Sequence, residues 1–139
     1  MTEALRRKAA IVGIGATAFS ANSGCSEQRL AAEAVLAALE DAGLGPDDVD
    51  GIVNSDFDAT NQIDVINTVG LRNIGSYAMI PHGGGSPCGT VAQAAMMVAS
   101  GASRCVVAYR SLNERSGHRY GSSEAIPTFP WVYGLHAPY

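Results

Sequence analysis

The sequence predicts an α/β fold with a mostly parallel sheet, and three observations carry that expectation. Short apolar runs alternate with stretches of helical apolar spacing, in the order strand, helix, strand, helix, strand, helix, strand. Glycines close the three helical stretches at Gly43, Gly70 and Gly101. The third helical stretch is apolar nearly all round, as expected of a helix covered on both faces.

The first strand is expected over Ala9 to Ile14, an apolar run ending in glycines. Phe19 to Cys25 is polar and rich in Ser, Asn and Gly, hence a loop. Ser26 is an N-cap with Glu27 beside the positive end of the helix dipole. Leu30, Ala31, Ala34, Val35, Ala38, Leu39 and Ala42 then recur at helical spacing. Gly45 to Asp48 is turn chemistry, and Val49 to Val53 is the second strand. Ile63, Val65, Ile66 and Val69 mark a second helix, and Tyr77 to Ile80 a third strand. Ser86 and Pro87 read as N-cap and first residue of the third helix, whose only polar residue between Val91 and Ala99 is Gln93. Arg104 to Tyr109 is the fourth strand.

Residues 1–110 therefore form an α/β core, and residues 111–139 begin a loop region with aromatic weight but no closing element. A compact domain seldom ends so, and the expectation is a piece of a longer chain. The 139 residues match one domain of ordinary size, 47% hydrophobic and 16% charged. A net charge of −4 argues against binding nucleic acid without sequence preference. No apolar run approaches the roughly 20 residues of a membrane helix, and the N-terminus is not a signal peptide. Cys25, Cys88 and Cys105 form no C-x-x-C pair and read as reduced thiols of a cytoplasmic protein, with neither a disulfide framework nor a metal site.

Two glycine motifs bear on chemistry. The run GIGATA at 13–18 formally fits the dinucleotide fingerprint, but helical periodicity begins only at Ser26 and Asn54, not an acid, follows Val53. Tight-turn glycines are the preferred reading. The run from His82 through Gly83, Gly84, Gly85, Ser86 and Pro87 to Cys88 is the candidate site. A strand leading through glycines straight into a helix start aims several unpaired backbone N–H groups at one spot. Such a spot stabilises an oxyanion or holds a thioester carbonyl. Cys88 falls in the first helical turn, where the dipole favours a thiolate; the competing reading is a small buried apolar residue. His82, His118 and His136 share no metal-ligand spacing, and the pairs Asp47 and Asp48, and Asp56 and Asp58, read as turn residues.

The run AIVGIGAT at 10–17, the helix start SEQRLAAEAV at 26–35, DAGL at 41–44 with DVDGI at 48–52, the glycine-rich lead into the third helix and ASG at 99–101 together resemble the thiolase superfamily. Within it the match is to the sterol-carrier-protein-X-like, lipid-transfer branch. The resemblance covers nearly the whole chain, yet the family chain is nearly three times longer. It implies a thiolase-like fold whose N-terminal βαβαβαβ half carries a central helix buried between two sheets. Thiolases place a nucleophilic Cys at the start of that helix. Counting back from Gly101, with His82 standing for the Asn ahead of the nucleophile, puts Gly85 at that position and Cys88 three residues late.

Asn113 to Gly117 is similar to thiolase-like proteins of steroid side-chain breakdown. Members without the nucleophile act as retro-aldolases on a hydroxyacyl-CoA, work with a small OB-fold partner and use tyrosines from later in the chain. The implied function is cleavage of a β-hydroxyacyl-CoA, with His82, Gly84, Gly85 and Ser86 at the thioester, no cofactor beyond the CoA substrate, and a homodimer. The alternatives are a thiolase or acyltransferase with Cys88 as nucleophile, and a non-catalytic lipid- or acyl-CoA-binding protein.

Overall fold

The computed structural model describes residues 6–58, 60–81 and 85–113. Helix α1 spans Glu27–Ala42, strand β1 Gly51–Ser55, helix α2 Gln62–Val69, strand β2 Ser76–Ile80, helix α3 Ser86–Ser100 and strand β3 Val106–Ala108. A 3-10 turn at Pro46–Asp48 leads into β1.

Both caps of α1 are where the sequence puts them. Ser26 Oγ accepts from Arg29 N at 3.3 Å, and Gly43 stops the helix in the left-handed region at φ 66°. Asn61 caps α2 by accepting from Ile63 N at 2.9 Å. The cap of α3 differs by one residue. Gly85 is the N-cap, so Ser86 already lies inside the helix and Pro87 follows it.

The sheet is parallel throughout, in the order β2-β1-β3, with Gly51 opposite both Ser76 and Val106. All five residues of β1 are buried, as befits a central strand with helices on both faces. Ile52 and Asn54 face α1 and α2, where Ala31, Val35, Leu39, Val65 and Val69 complete the core. Gly51 and Ser55 face α3: a Cβ on Gly51 would stand 3.2 Å from Met97 Cε, and Ser55 Oγ lies 2.6 Å from Ser86 Oγ. Asp50, just ahead of β1, accepts from Arg104 N at 2.9 Å and Cys105 N at 2.9 Å, tying the turn before β3 to the start of the central strand.

One expectation meets a different outcome. The apolar run from Ala9 to Ile14 is extended, but it pairs with no strand among the described residues. Instead it crosses α1, with Ile14 N donating to Asp41 Oδ2 at 2.8 Å. A Cβ on Gly13 or Gly15 would collide with the backbone oxygens of Ala38 and Ala34, so these glycines permit close contact with a helix. That accounts for GIGATA without a phosphate loop. Helix α3 is buried on its sheet side through Ser86, Thr90 and Met97, while Val91 and Met96 on other sides are exposed, the face that the sequence leaves for further polypeptide to cover. Among the described residues one sheet lies against it.

Candidate functional site

In a parallel sheet the chain leaves every strand on the same side, and loops at that carboxyl end form the usual crevice for ligands. Here that end gathers Ser55 at the end of β1, Pro81 after β2, the segment from Tyr109 after β3, and the N-terminus of α3. The unpaired backbone N–H groups of a 15-residue helix open there, one fewer than usual because Pro87 carries none.

Of the residues expected at the thioester, Gly85 and Ser86 are at this position. Gly85 is exposed, and a Cβ on it would meet nothing within 4 Å. Ser86 is 1% exposed and bonded to Ser55. His82 and Gly84, with Gly83, lie outside the described residues, as do His118 and His136. Cys88 is exposed in the first turn of α3, so it is not the small buried residue of the competing reading. Thr90 Oγ1 donates to Pro87 O at 2.7 Å, closing the turn beneath it.

Asp58 lies in the turn the sequence expects, its N–H donating to Ser55 O at 3.2 Å, and that turn carries its carboxylate into the interior. Its side chain is fully buried; Oδ2 accepts from Ser55 N at 3.0 Å and Oδ1 from Ser111 N at 3.2 Å. Arg110 Nε stands 3.9 Å from Oδ1. Burial pushes the Asp58 carboxyl above its ordinary value, against the pull of those two N–H groups and the Arg110 charge. Close by, Thr60 Oγ1 donates to the Tyr109 hydroxyl at 3.3 Å, and burial likewise raises the Tyr109 phenol, helped by the Asp58 charge. Asn54 Oδ1 accepts from Gln62 Nε2 at 2.7 Å, and Asn54 Nδ2 is buried without a hydrogen bond.

The chain leaving β3 is stitched to the start of α1 as well. Ser111 Oγ donates to Glu27 O at 2.6 Å, Asn113 Nδ2 to Cys25 O at 2.6 Å, and Ser23 Oγ to Asn113 Oδ1 at 2.7 Å. Sequence reasoning placed none of these three links, because they join residues 84 to 90 positions apart. The one local sign was an acid at 58, three residues beyond the end of β1.

Two cavities lie away from the helix start. One of about 600 Å³ is lined by residues 15–20, Leu30, Ala34 and residues 110–113. A cleft of about 710 Å³ separates residues 7–15 from residues 104–110. Gly85, Ser86 and Cys88 line neither. Among the described residues no group of His, Cys, Asp and Glu could hold a metal ion, and no helix is long and apolar enough to cross a membrane.

No family model matches the sequence. Individual proteins do. A steroid side-chain-cleaving aldolase of Thermomonospora curvata is 55% identical over 141 residues, covering 94% of this chain and 36% of the relative. A 17-hydroxy-3-oxo-4-pregnene-20-carboxyl-CoA lyase of Mycobacterium tuberculosis is 56% identical over 145 residues, covering 96% of this chain and 38% of the relative. This chain is a homologue of the steroid side-chain aldolases. It spans a little over a third of the length of these aldolase relatives. Among solved structures, the Ltp2-ChsH2(DUF35) aldolase superposes with a TM-score of 0.76 at 49% identity, covering 92% of this chain and 34% of that one. The priming β-ketosynthase of the R1128 polyketide pathway superposes with a TM-score of 0.52 at 26% identity, over 70% of this chain and 32% of its own. The chain thus has a thiolase-like α/β fold, in agreement with the resemblance read from the sequence.

Proposed function

We propose that the polypeptide containing this chain is a carbon–carbon lyase that cleaves a β-hydroxyacyl-CoA with a bulky, steroid acyl group by a retro-aldol reaction. The observation that carries the reading is 55–56% identity across at least 94% of the chain to proteins named for such cleavage. In the reaction a base takes the β-hydroxyl proton and the Cα–Cβ bond breaks. A ketone leaves, and the bonding electrons pass into the thioester as an enolate, which a proton then quenches. The negative charge develops on the thioester oxygen, so donors aimed there lower the barrier. The backbone N–H groups at the start of α3 are assigned that task, with Gly84 and Gly85 leaving room for the thioester and His82 and Ser86 flanking it. The acyl-CoA is the only small molecule the reaction requires.

The Ltp2-ChsH2(DUF35) aldolase supports a partner protein for the complete enzyme. We assign that role to a small OB-fold protein that binds the acyl-CoA, alongside a homodimer of the lyase in the cytoplasm. A second reading keeps one observation of its own: Cys88 is exposed in the first turn of α3, where the helix dipole favours a thiolate. It would make the protein a thiolase or acyltransferase through an acyl-cysteine.

The test extends the polypeptide to the length of its relatives and supplies a 17-hydroxysteroid acyl-CoA thioester. Release of a 17-ketosteroid and a shortened acyl-CoA in equal amounts is the expected result. Accumulation of an acyl adduct on Cys88 without the ketone would replace the lyase by the acyltransferase. Tight binding with neither product would leave an acyl-CoA-binding protein.

A further inference from the structure

A buried carboxylate is costly unless its hydrogen bonds repay the lost water, and Asp58 has a fully buried side chain. Its two oxygens serve two different segments: Oδ2 holds Ser55 N at 3.0 Å, at the end of β1, and Oδ1 holds Ser111 N at 3.2 Å, beyond β3. Ser55 passes the constraint on. Its Oγ accepts from Phe57 N at 3.2 Å and lies 2.6 Å from Ser86 Oγ. With one lone pair engaged by Phe57, the Ser55 hydroxyl keeps a proton and a second lone pair, so either serine can donate in this link. Both serines are 1% exposed, so water does not compete for this link. Ser86 is the first residue of α3, and its position sets the height of the turn whose N–H groups open toward the site.

We infer that Asp58 is a positioning residue for the lyase chemistry: through Ser55 and Ser86, its carboxylate fixes where the first turn of α3 presents its backbone N–H groups. The inference rests on the retro-aldol reading above. Only a carboxylate accepts on both oxygens; an amide at 58 sets an NH₂ against one of the two backbone donors. Slack in either arm shifts the Ser55–Ser86 link. A misplacement of about 1 Å costs up to about a hundredfold in rate. The loss falls on kcat, because donors to a developing enolate act in the transition state and contribute little to ground-state binding.

The experiment uses the polypeptide at the full length of its relatives, with wild-type cleavage of the hydroxyacyl-CoA measured first. An inactive wild type overturns the functional reading itself. With an active wild type, Asp58→Asn, Ser55→Ala and Ser86→Ala are each expected to lower kcat by about tenfold or more. KM is expected to stay within about threefold. Asp58→Asn combined with Ser86→Ala is expected to be no slower than the slower single variant, because both break one chain of contacts. Losses that multiply in the double variant would overturn the inference, as would a folded Asp58→Asn protein with kcat within about twofold of wild type. Should Asp58→Asn fail to fold, Ser55→Ala with Ser86→Ala carries the same cycle while keeping Asp58 and its backbone contacts. A purely structural role would lower the unfolding temperature and leave kcat per folded molecule unchanged.

Discussion

Gly85 has a φ of −82°, which any residue adopts, and open space where a Cβ would stand. Valine there is therefore tolerated by the fold. Gly85→Val is expected to cost no more than about 1 kcal/mol in urea unfolding, the scale of a poorer N-cap. The new side chain would project into the space assigned to the thioester, and turnover is expected to be lost. Normal turnover in this variant would move the substrate away from the start of α3. Cys88, three residues on, gives the complementary test. It is exposed, so Cys88→Ala is expected to change stability by less than about 0.5 kcal/mol. Under the lyase reading it keeps most activity, whereas a covalent nucleophile would lose several orders of magnitude. Both positions were legible in the sequence, since glycines followed by Pro87 mark a helix start from local signals alone. Asp58 was not: its burial is created by Ser111 and Arg110, more than 50 residues away, and in isolation it has the composition of a turn.

At the scale of elements, two carboxylates hold opposite ends of the sheet and respond oppositely to pH. Burial raises the Asp50 carboxyl, but the Cys105 and Arg104 N–H groups and the Arg104 charge outweigh it and hold the group below its ordinary value. A depressed carboxyl contributes stability that is fully present above about pH 4 and is lost as pH falls through the lowered value. Asp50→Asn is expected to cost roughly 1–2 kcal/mol near neutral pH, after a discount for the partly exposed side chain. That difference should close as urea unfolding is repeated toward about pH 2. A difference independent of pH would mean that these N–H bonds do not depend on the charge. Asp58 has the reverse sign: its raised value makes the folded state less stable as pH rises through it, the cost that its two backbone bonds offset. The helices were legible as elements because Ser26 and the glycines at 43, 70 and 101 are chemical start and stop marks within a residue or two of the observed ends, whereas the Asn61 cap emerges only in the structure. The order of strands was not, since β1 takes the centre through pairings with residues 25 and 55 positions away.

For the molecule as a whole, the run from Ala9 to Ile14 has the composition of a strand without a partner. Ile11, Val12 and Ile14 are 74%, 64% and 75% exposed, an unusual state for three neighbouring apolar side chains. Opposite them, β3 pairs only with β1 among the described residues, leaving an edge whose backbone groups face a cleft of about 710 Å³. Val35 and Ala38 of α1 line this cleft, as do Ala94 and Val98 of α3, so helices already flank it. The geometry fits a further strand, and in a polypeptide as long as the steroid aldolase relatives it is expected to come from residues beyond this segment. Hydrogen exchange followed on peptides covering residues 9–15 and 104–110 tests this. In the 139-residue chain residues 9–13 should exchange close to the unprotected rate, and in the extended polypeptide at least a hundredfold more slowly, as for a sheet that opens only with its surroundings. Ile11→Lys sharpens the comparison: it should cost under about 0.5 kcal/mol in the short chain, where the side chain is solvated. In the extended one, where the charge would be buried between helices, it should cost several kcal/mol. Equal exchange and equal cost in both lengths would show the cleft to be a permanent surface feature, open to solvent whatever polypeptide follows.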